Sequence, residues 1–268
     1  MKKIIIIGAG AMGSAFAVPC LDNKNDVTIV GTHLEDNLIE SINSNNHIHP
    51  ALKTQLPKEI KFERFEKLQN ILKQNIDIIV CGVSSVGIEW FVQQISKNYK
   101  KKKPIVLLTK GLSIVGNELS TLSEKIKYLL EKEGHSEINI SAIKGPCLAA
   151  GLANKMRTGT VIANKNLKES QFLKETISTN YYSTEISEDI NGVELSGAIK
   201  NIYSMLIGAS EGLSNLKASK DIQSKYFLNT AASLIHRSIS EMVEFVSNYG
   251  GKAETVYGLA GLGDLYVS

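Results

Sequence analysis

Lys3-Ile-Ile-Ile-Ile-Gly-Ala-Gly-Ala-Met-Gly13 decides the fold. Ile4–Ile7 is a β-branched run of the kind that lies in a sheet covered on both faces. Gly8, Gly10 and Gly13 follow with GxGxxG spacing, and Met12–Leu21 behind them reads as a helix. In a strand–loop–helix setting each glycine has a task. Gly8 permits the tight turn, Gly10 lets a pyrophosphate approach the backbone, and Gly13 lets helix and strand pack closely. The helix N-terminus offers unpaired N–H groups and a positive dipole to the anion, with Ala11 and Met12 at the loop. The bland alternative is a glycine-rich turn with no ligand.

Working outward, the pattern repeats. Strands are expected at Ile4–Ile7, Val27–Val30, Ile76–Val80, Ile105–Leu108, Ile138–Ile143 and Thr160–Ala163, with helices such as Met12–Leu21, Val86–Tyr99 and Asn117–Glu133 between them. Apolar strands alternating with helices predict an α/β fold, a doubly wound, Rossmann-type parallel sheet. Near Ile190 the pattern changes to two long helical segments, Ile190–Leu213 and Gln223–Tyr249, joined by a polar link, Ser214–Ile222. The expected division is a dinucleotide-binding domain over 1–187 and a mainly helical domain over 188–268. Tyr99–Lys103 reads as a solvated basic turn ahead of Pro104.

The chain of 268 residues is 43% hydrophobic and 21% charged, enough for one large or two modest domains. Lys+Arg 30 against Asp+Glu 27 gives a net charge of +3, too small a surplus to argue for nucleic acid. Cys20, Cys81 and Cys147 lie far apart with no CxxC pair, which argues against a disulfide framework or a metal site and fits a reducing cytoplasm. Ile4–Ile7 is too short for a signal-peptide core, and Ile199–Ala209, interrupted by Lys200, is too short to span a bilayer.

At the tip of the second strand an acid would take the ribose hydroxyls of NAD, and a base would suit the extra phosphate of NADP. Here the strand runs into Gly31, Thr32 and His33, and Glu35 comes late, which tilts the expectation towards NADP over NAD. Thr32 and His33 are the cofactor candidates there. Four strands end in small or polar clusters: Gly8, Gly82-Val-Ser-Ser85, Thr109-Lys-Gly111 and Lys144-Gly-Pro-Cys147. In a parallel sheet these meet on one edge, where ligands bind. Lys110 reads either as a surface lysine or as a cation holding a substrate oxygen beside the cofactor. Cys147 reads as a small side chain near the cofactor; the competing idea is a thiol activated at a helix N-terminus.

Gly192-Val-Glu-Leu-Ser-Gly-Ala-Ile-Lys-Asn201 places Lys200 among small and apolar residues. No acid stands three or four positions away to explain it as a surface ion pair. It reads as a snorkelling lysine or as a general acid/base, since ketone reduction puts negative charge on an oxygen that an ammonium can stabilise and protonate. Glu194, six residues earlier, is expected on a different side. In Gly258-Leu-Ala-Gly-Leu-Gly-Asp264 the carboxylate either orients a lysine, binds a hydroxyl, or is a turn aspartate.

Taken together, Gly8–Gly13, Thr109-Lys-Gly111, Lys144–Cys147, Gly192–Asn201 and Gly258–Asp264 resemble the NAD(P)-dependent glycerol-3-phosphate dehydrogenase family, in family order and over almost the whole chain. The resemblance implies hydride transfer between NADH or NADPH and a small phosphorylated three-carbon substrate, interconverting dihydroxyacetone phosphate and sn-glycerol 3-phosphate, a step that feeds glycerophospholipid synthesis. It implies Lys200 as proton donor and acceptor. Lys110 falls at substrate and cofactor, Ala149 at the cofactor, and Gly145, Cys147, Asn201 and Asp264 at the substrate. It also implies a cytoplasmic homodimer. Ala11 and Met12 stand where the family often has Ser and an aromatic residue, Cys147 stands where it has Ser or Thr, and Gly31-Thr-His33 replaces Trp-x-Arg. Asn229 and Arg237 match a helical Asn…Arg pattern without an assigned role. Leu216–Lys225 reads as an insertion. The family's Gly-Arg-Asn phosphate-binding motif is expected after Asp264 and beyond Ser268, so a C-terminally truncated chain with poor turnover is expected. Two alternatives stay open: another two-domain dehydrogenase acting on a 2-keto or 3-hydroxy acid, and a non-catalytic dinucleotide-binding remnant.

Overall fold

A computed structural model describes residues 1–99, 103–214 and 223–268. Eight strands form one sheet: β1 (Lys3–Ile7), β2 (Asp26–Val30), β3 (Lys61–Glu63), β4 (Ile78–Cys81), β5 (Pro104–Leu107), β6 (Asn139–Lys144), β7 (Thr158–Ala163) and β8 (Tyr182–Ser187). Their spatial order is β8-β7-β6-β5-β4-β1-β2-β3. The strand order reverses between β1 and β4, which puts a crevice at their carboxyl ends, beside the glycine loop.

The isoleucine run shows why this sheet needs cover on both sides. Side chains alternate along a strand. Ile4 and Ile6 pack with Phe16 of α1 (Ala11–Asp22), whereas Ile5 and Ile7 pack with Phe91 and Ile95 of a helix on the opposite face, Ile88–Ser96. All four isoleucines are fully buried. Each contributes about 1.5–3 kcal/mol relative to exposure, so a single polar replacement in this run would cost a large share of the fold's stability.

Two features depart from the sequence expectation. First, β7 runs antiparallel to β6, while every other neighbouring pair in the sheet is parallel. Gly145, at φ +141, sends the chain back; a Cβ there would stand 3.0 Å from the Thr160 Cα, so the two backbones pass closely. Second, the helix expected from Asn117 begins later. Glu118–Thr121 instead pairs with Leu112–Val115 in a small hairpin, and the helix is α2 (Leu122–Lys132). Thr121 caps it, with Glu124 closing a capping box. The short strand β3 and the edge strand β8 were not anticipated.

After β8 the described residues hold no strand. Two long helices, α3 (Ile190–Ser214) and α4 (Gln223–Asn248), share a core of Leu195, Ile199, Met242 and Val246. Asp189 starts α3: its Oδ1 accepts from Gly192 N at 2.9 Å, while Oδ2 accepts from Lys252 N at 2.8 Å and Thr255 Oγ1 at 2.5 Å. That carboxylate therefore also pins the short helix Ala253–Tyr257, from which the chain returns through the turn Leu259–Gly263 to Asp264. The polar link, most of Leu216–Lys225 and the centre of the basic run lie outside the described residues.

Candidate active site

The glycine loop has the form its spacing requires. Gly8 sits at φ +109, and a Cβ on it would come within 2.7 Å of the Gly82 carbonyl carbon, at the end of β4. At Gly13 a Cβ would lie 2.5 Å from Gly8 O. Gly10 differs: its Cβ position meets only Glu35 Oε1, at 4.0 Å. Gly10 is also the N-cap of α1 and has no side-chain cap. An open, uncapped helix N-terminus with room above its backbone fits a dinucleotide pyrophosphate.

Glu35 changes the picture at the ribose end. It comes late in sequence, yet its Oε2 accepts from Thr32 N at 2.7 Å and from Ala9 N at 3.1 Å. The carboxylate thus lies across the glycine loop and the tip of β2, where no acid was expected. His33 packs in an aromatic group, 5.3 Å from Trp90 and 6.1 Å from Phe65 between ring centroids. Arg64, which leaves β3 beside Gly31, is ion-paired to Glu40.

Across the crevice the ends of β4, β5 and β6 are tied together. Thr109 Oγ1 donates to Val83 O at 2.5 Å, and Lys144 Nζ donates to Thr109 O at 2.8 Å and Leu107 O at 3.3 Å. Lys110 then reaches Asp264: Nζ to Oδ2 is 2.6 Å. The other oxygen of the same carboxylate, Oδ1, takes Lys200 Nζ at 2.5 Å, and Lys200 also donates to Asp264 O at 3.0 Å and to Ser268 Oγ. Asp264 and Lys200 are buried, and Lys110 is partly exposed. Burial holds the Lys200 ammonium below the ordinary lysine value; Lys110 adds to that, while Asp264 opposes it. Met12, Lys110, Lys144, Gly145, Cys147 and Thr160 line one small cavity, so the loop, strand-end and Gly-Pro-Cys candidates converge. Asn201 is exposed on α3, and Ala149 opens the short helix Ala149–Ala153 against the sheet core.

Cys147 is not an activated nucleophile. The helix begins two residues later, and burial pushes the thiol up to about 11. Glu194 is buried, accepts from Ser123 N at 3.2 Å and acts electrostatically on Lys144. Sequence reasoning missed Lys144 and undervalued Glu35. Lys144 had a signal, a charge ending an apolar strand in phase with Ala142. For Glu35 the signal was its position some twenty residues past the last glycine, the usual interval to the ribose-binding acid.

This fold, with an open glycine loop across the crevice from two lysines on one carboxylate, defines a dinucleotide-dependent oxidoreductase. Residues 3–170 match the family model described as NAD-dependent glycerol-3-phosphate dehydrogenase N-terminus, and residues 189–268 match its C-terminus counterpart. The chain belongs to the NAD-dependent glycerol-3-phosphate dehydrogenase family. It is 34% identical over 262 residues to the NADP(+)-dependent glycerol-3-phosphate dehydrogenase of Archaeoglobus fulgidus, covering 98% of this chain and 74% of that protein. It is 31% identical over 268 residues to the NAD(P)+ glycerol-3-phosphate dehydrogenase of Mesoplasma florum, covering 100% of this chain and 75% of the relative. The crystal structure of glycerol-3-phosphate dehydrogenase from Coxiella burnetii superposes with a TM-score of 0.81 at 27% identity, covering 99% of this chain and 75% of that one.

Proposed function

We propose that the protein interconverts dihydroxyacetone phosphate and sn-glycerol 3-phosphate, with Lys200 as the proton donor and acceptor. The supporting observation is the carboxylate of Asp264 holding Lys110 and Lys200 together, across the crevice from a glycine loop open to a dinucleotide. When bound, NADH or NADPH supplies the hydride to the ketone carbon. The carbonyl electron pair moves to its oxygen, and the Lys200 ammonium stabilises that charge and protonates it. Lys200 is left neutral and regains a proton from solvent, so each turnover in this direction takes up one proton. Lys110 holds a substrate oxygen, and both ammonium groups offset the phosphate charge. Gly145, Cys147, Asn201 and Asp264 border the substrate. Gly8–Gly13, Thr32, His33, Lys110 and Ala149 border the cofactor.

On this reading residues 1–187 bind the dinucleotide and residues 188–268 bring the proton donor. The product suits glycerophospholipid synthesis, and the family resemblance supports a cytoplasmic homodimer. No described helix is long and apolar enough to cross a membrane. Purified protein is expected to oxidise NADH or NADPH on addition of dihydroxyacetone phosphate. Oxidation driven by a 2-keto acid, and not by the triose phosphate, would overturn the substrate assignment.

Glu35 sets the cofactor preference in this scheme, in favour of NADH. Its carboxylate is placed to accept the ribose hydroxyls and to repel a 2′-phosphate, and the neighbouring Arg64 is engaged by Glu40. This reverses the tilt towards NADP drawn from Gly31-Thr-His33, and it differs from the cofactor in the Archaeoglobus relative's name. Unit charges about 4 Å apart interact by about 1–4 kcal/mol between water and a protein surface. Glu35→Gln is therefore expected to raise kcat/KM for NADPH relative to NADH by roughly tenfold. An unchanged ratio would remove Glu35 from cofactor selection.

A further inference from the structure

Lys144 is a buried lysine that the chemistry above does not use, and it stands directly behind the groups that it does use. It ends β6, whose register sets Ala142 beside Leu107 on β5, so Lys144 lies level with Thr109. Its ammonium donates to the carbonyls of Thr109 and Leu107, at 2.8 and 3.3 Å. Thr109 immediately precedes Lys110. The aliphatic stem lies against α3 at Gly197, where a Cβ would come within 3.2 Å of the Lys144 Cδ. Gly197 is three residues before Lys200, so one side chain touches the backbone that carries each of the two site lysines.

A buried ammonium needs a counter-charge. Glu194, also on α3 and buried, supplies it: burial pulls Lys144 down to about 8, and Glu194 is the main influence holding it up. Burial likewise raises Glu194, and Lys144 is the main influence lowering it. The Glu194 Oε2 atom has no hydrogen-bond partner, and Lys144 is the main influence favouring its charged form.

We propose that Lys144 is a positioning residue for the reaction: its ammonium clamps the Thr109 carbonyl and thereby aims Lys110 at Asp264, while its stem sets the distance of α3 beneath Lys200. The assignment rests on the function proposed above. On this assignment Lys144 acts through the two lysines.

Lys144→Met alone leaves the buried Glu194 without its cation and can fail to fold for that reason. The informative variant is Lys144→Met/Glu194→Gln, which removes both charges at nearly constant volume. It is expected to keep the parent melting temperature and NADH affinity while losing roughly 10- to 100-fold in kcat/KM for dihydroxyacetone phosphate, the scale of a misplaced catalytic group. A crystal structure of the double variant reads the same point without turnover and should show Lys110 released from Asp264. Full catalytic efficiency, or a retained Lys110–Asp264 contact, overturns the proposal. Failure of the neutral double variant to fold also overturns it, by assigning Lys144 to stability. Parent protein that does not reduce the triose phosphate would refute the functional reading instead, and the crystallographic comparison would still decide the role of Lys144.

Discussion

Replacing Lys200 by alanine is expected to lower kcat with dihydroxyacetone phosphate by roughly 100-fold or more, the usual scale for a positioned general acid. The structure makes this a clean experiment. Asp264 keeps Lys110 as a partner, so the substitution does not leave its carboxylate without a cation. The glycine loop is built from other residues, so NADH affinity should be unchanged. The pH profile adds a second reading. Reduction requires the protonated lysine, so the rate should fall as pH rises through the pKa of Lys200. Burial and Lys110 depress that pKa, which places the alkaline limb below the ordinary lysine value. Lys200→Arg keeps the positive charge but holds its proton too tightly to give it up, so it should bind substrate and still turn over slowly. Near-full kcat in Lys200→Ala would remove the residue from the proton-transfer role.

Gly10→Val should abolish cofactor binding while leaving the fold nearly intact. The three loop glycines are not equivalent. A side chain at Gly8 or Gly13 collides with backbone, at 2.7 and 2.5 Å, so substitution there confounds binding with folding. A Cβ at Gly10 meets only the end of the Glu35 side chain, at 4.0 Å. Its backbone lies in an extended conformation that valine tolerates, φ −61 and ψ 169. The new methyls would fill the space above the N-terminus of α1. Loss of two charge-assisted hydrogen bonds to the pyrophosphate, at about 1.5–3 kcal/mol each, amounts to roughly 10²- to 10⁴-fold in Kd. The melting temperature should fall only a few degrees, since valine is a poorer N-cap than glycine by about 1 kcal/mol or less. Titration of NADH fluorescence alongside thermal melting separates the two quantities. An unchanged Kd would mean that the pyrophosphate does not lie over Gly10.

Much of the scaffold was legible because its signals are local. Ile4–Ile7, Gly8–Gly13 and the apolar strands that follow need only period and spacing, and the two long helices announce themselves by the absence of strand signals after Ile190. What escaped notice depends on partners distant in sequence. β3 is three residues long and is a strand only because β2 lies beside it. The reversal at Gly145 depends on how close Thr160 comes. The misplaced start of α2 is a different kind of miss, since Thr121 and Glu124 form a capping box that was readable in the sequence. The site divides in the same way. Lys110, Lys200 and Asp264 stood out as isolated charges in small-residue or glycine-rich surroundings, but only the fold shows them meeting on one carboxylate. The spacing that marks Lys144 and Glu35 does not show which backbone groups they hold, because Thr109 and Ala9 lie 35 and 26 residues away.

The bonds that Asp264 makes have a bearing on folding as well as on chemistry. They span 154 residues to Lys110 and 64 to Lys200. Closing loops of that size is entropically costly, and contacts so far apart in the chain contribute little until the intervening structure is in place. The groups proposed to hold the cofactor begin within the first βαβ unit, where Glu35 reaches back over only 26 residues to Ala9. Pyrophosphate binding at the glycine loop therefore reports mainly on the order of this early part of the chain. Turnover reports on the whole chain having closed upon itself, so on refolding the recovered activity should not outrun the recovered cofactor binding.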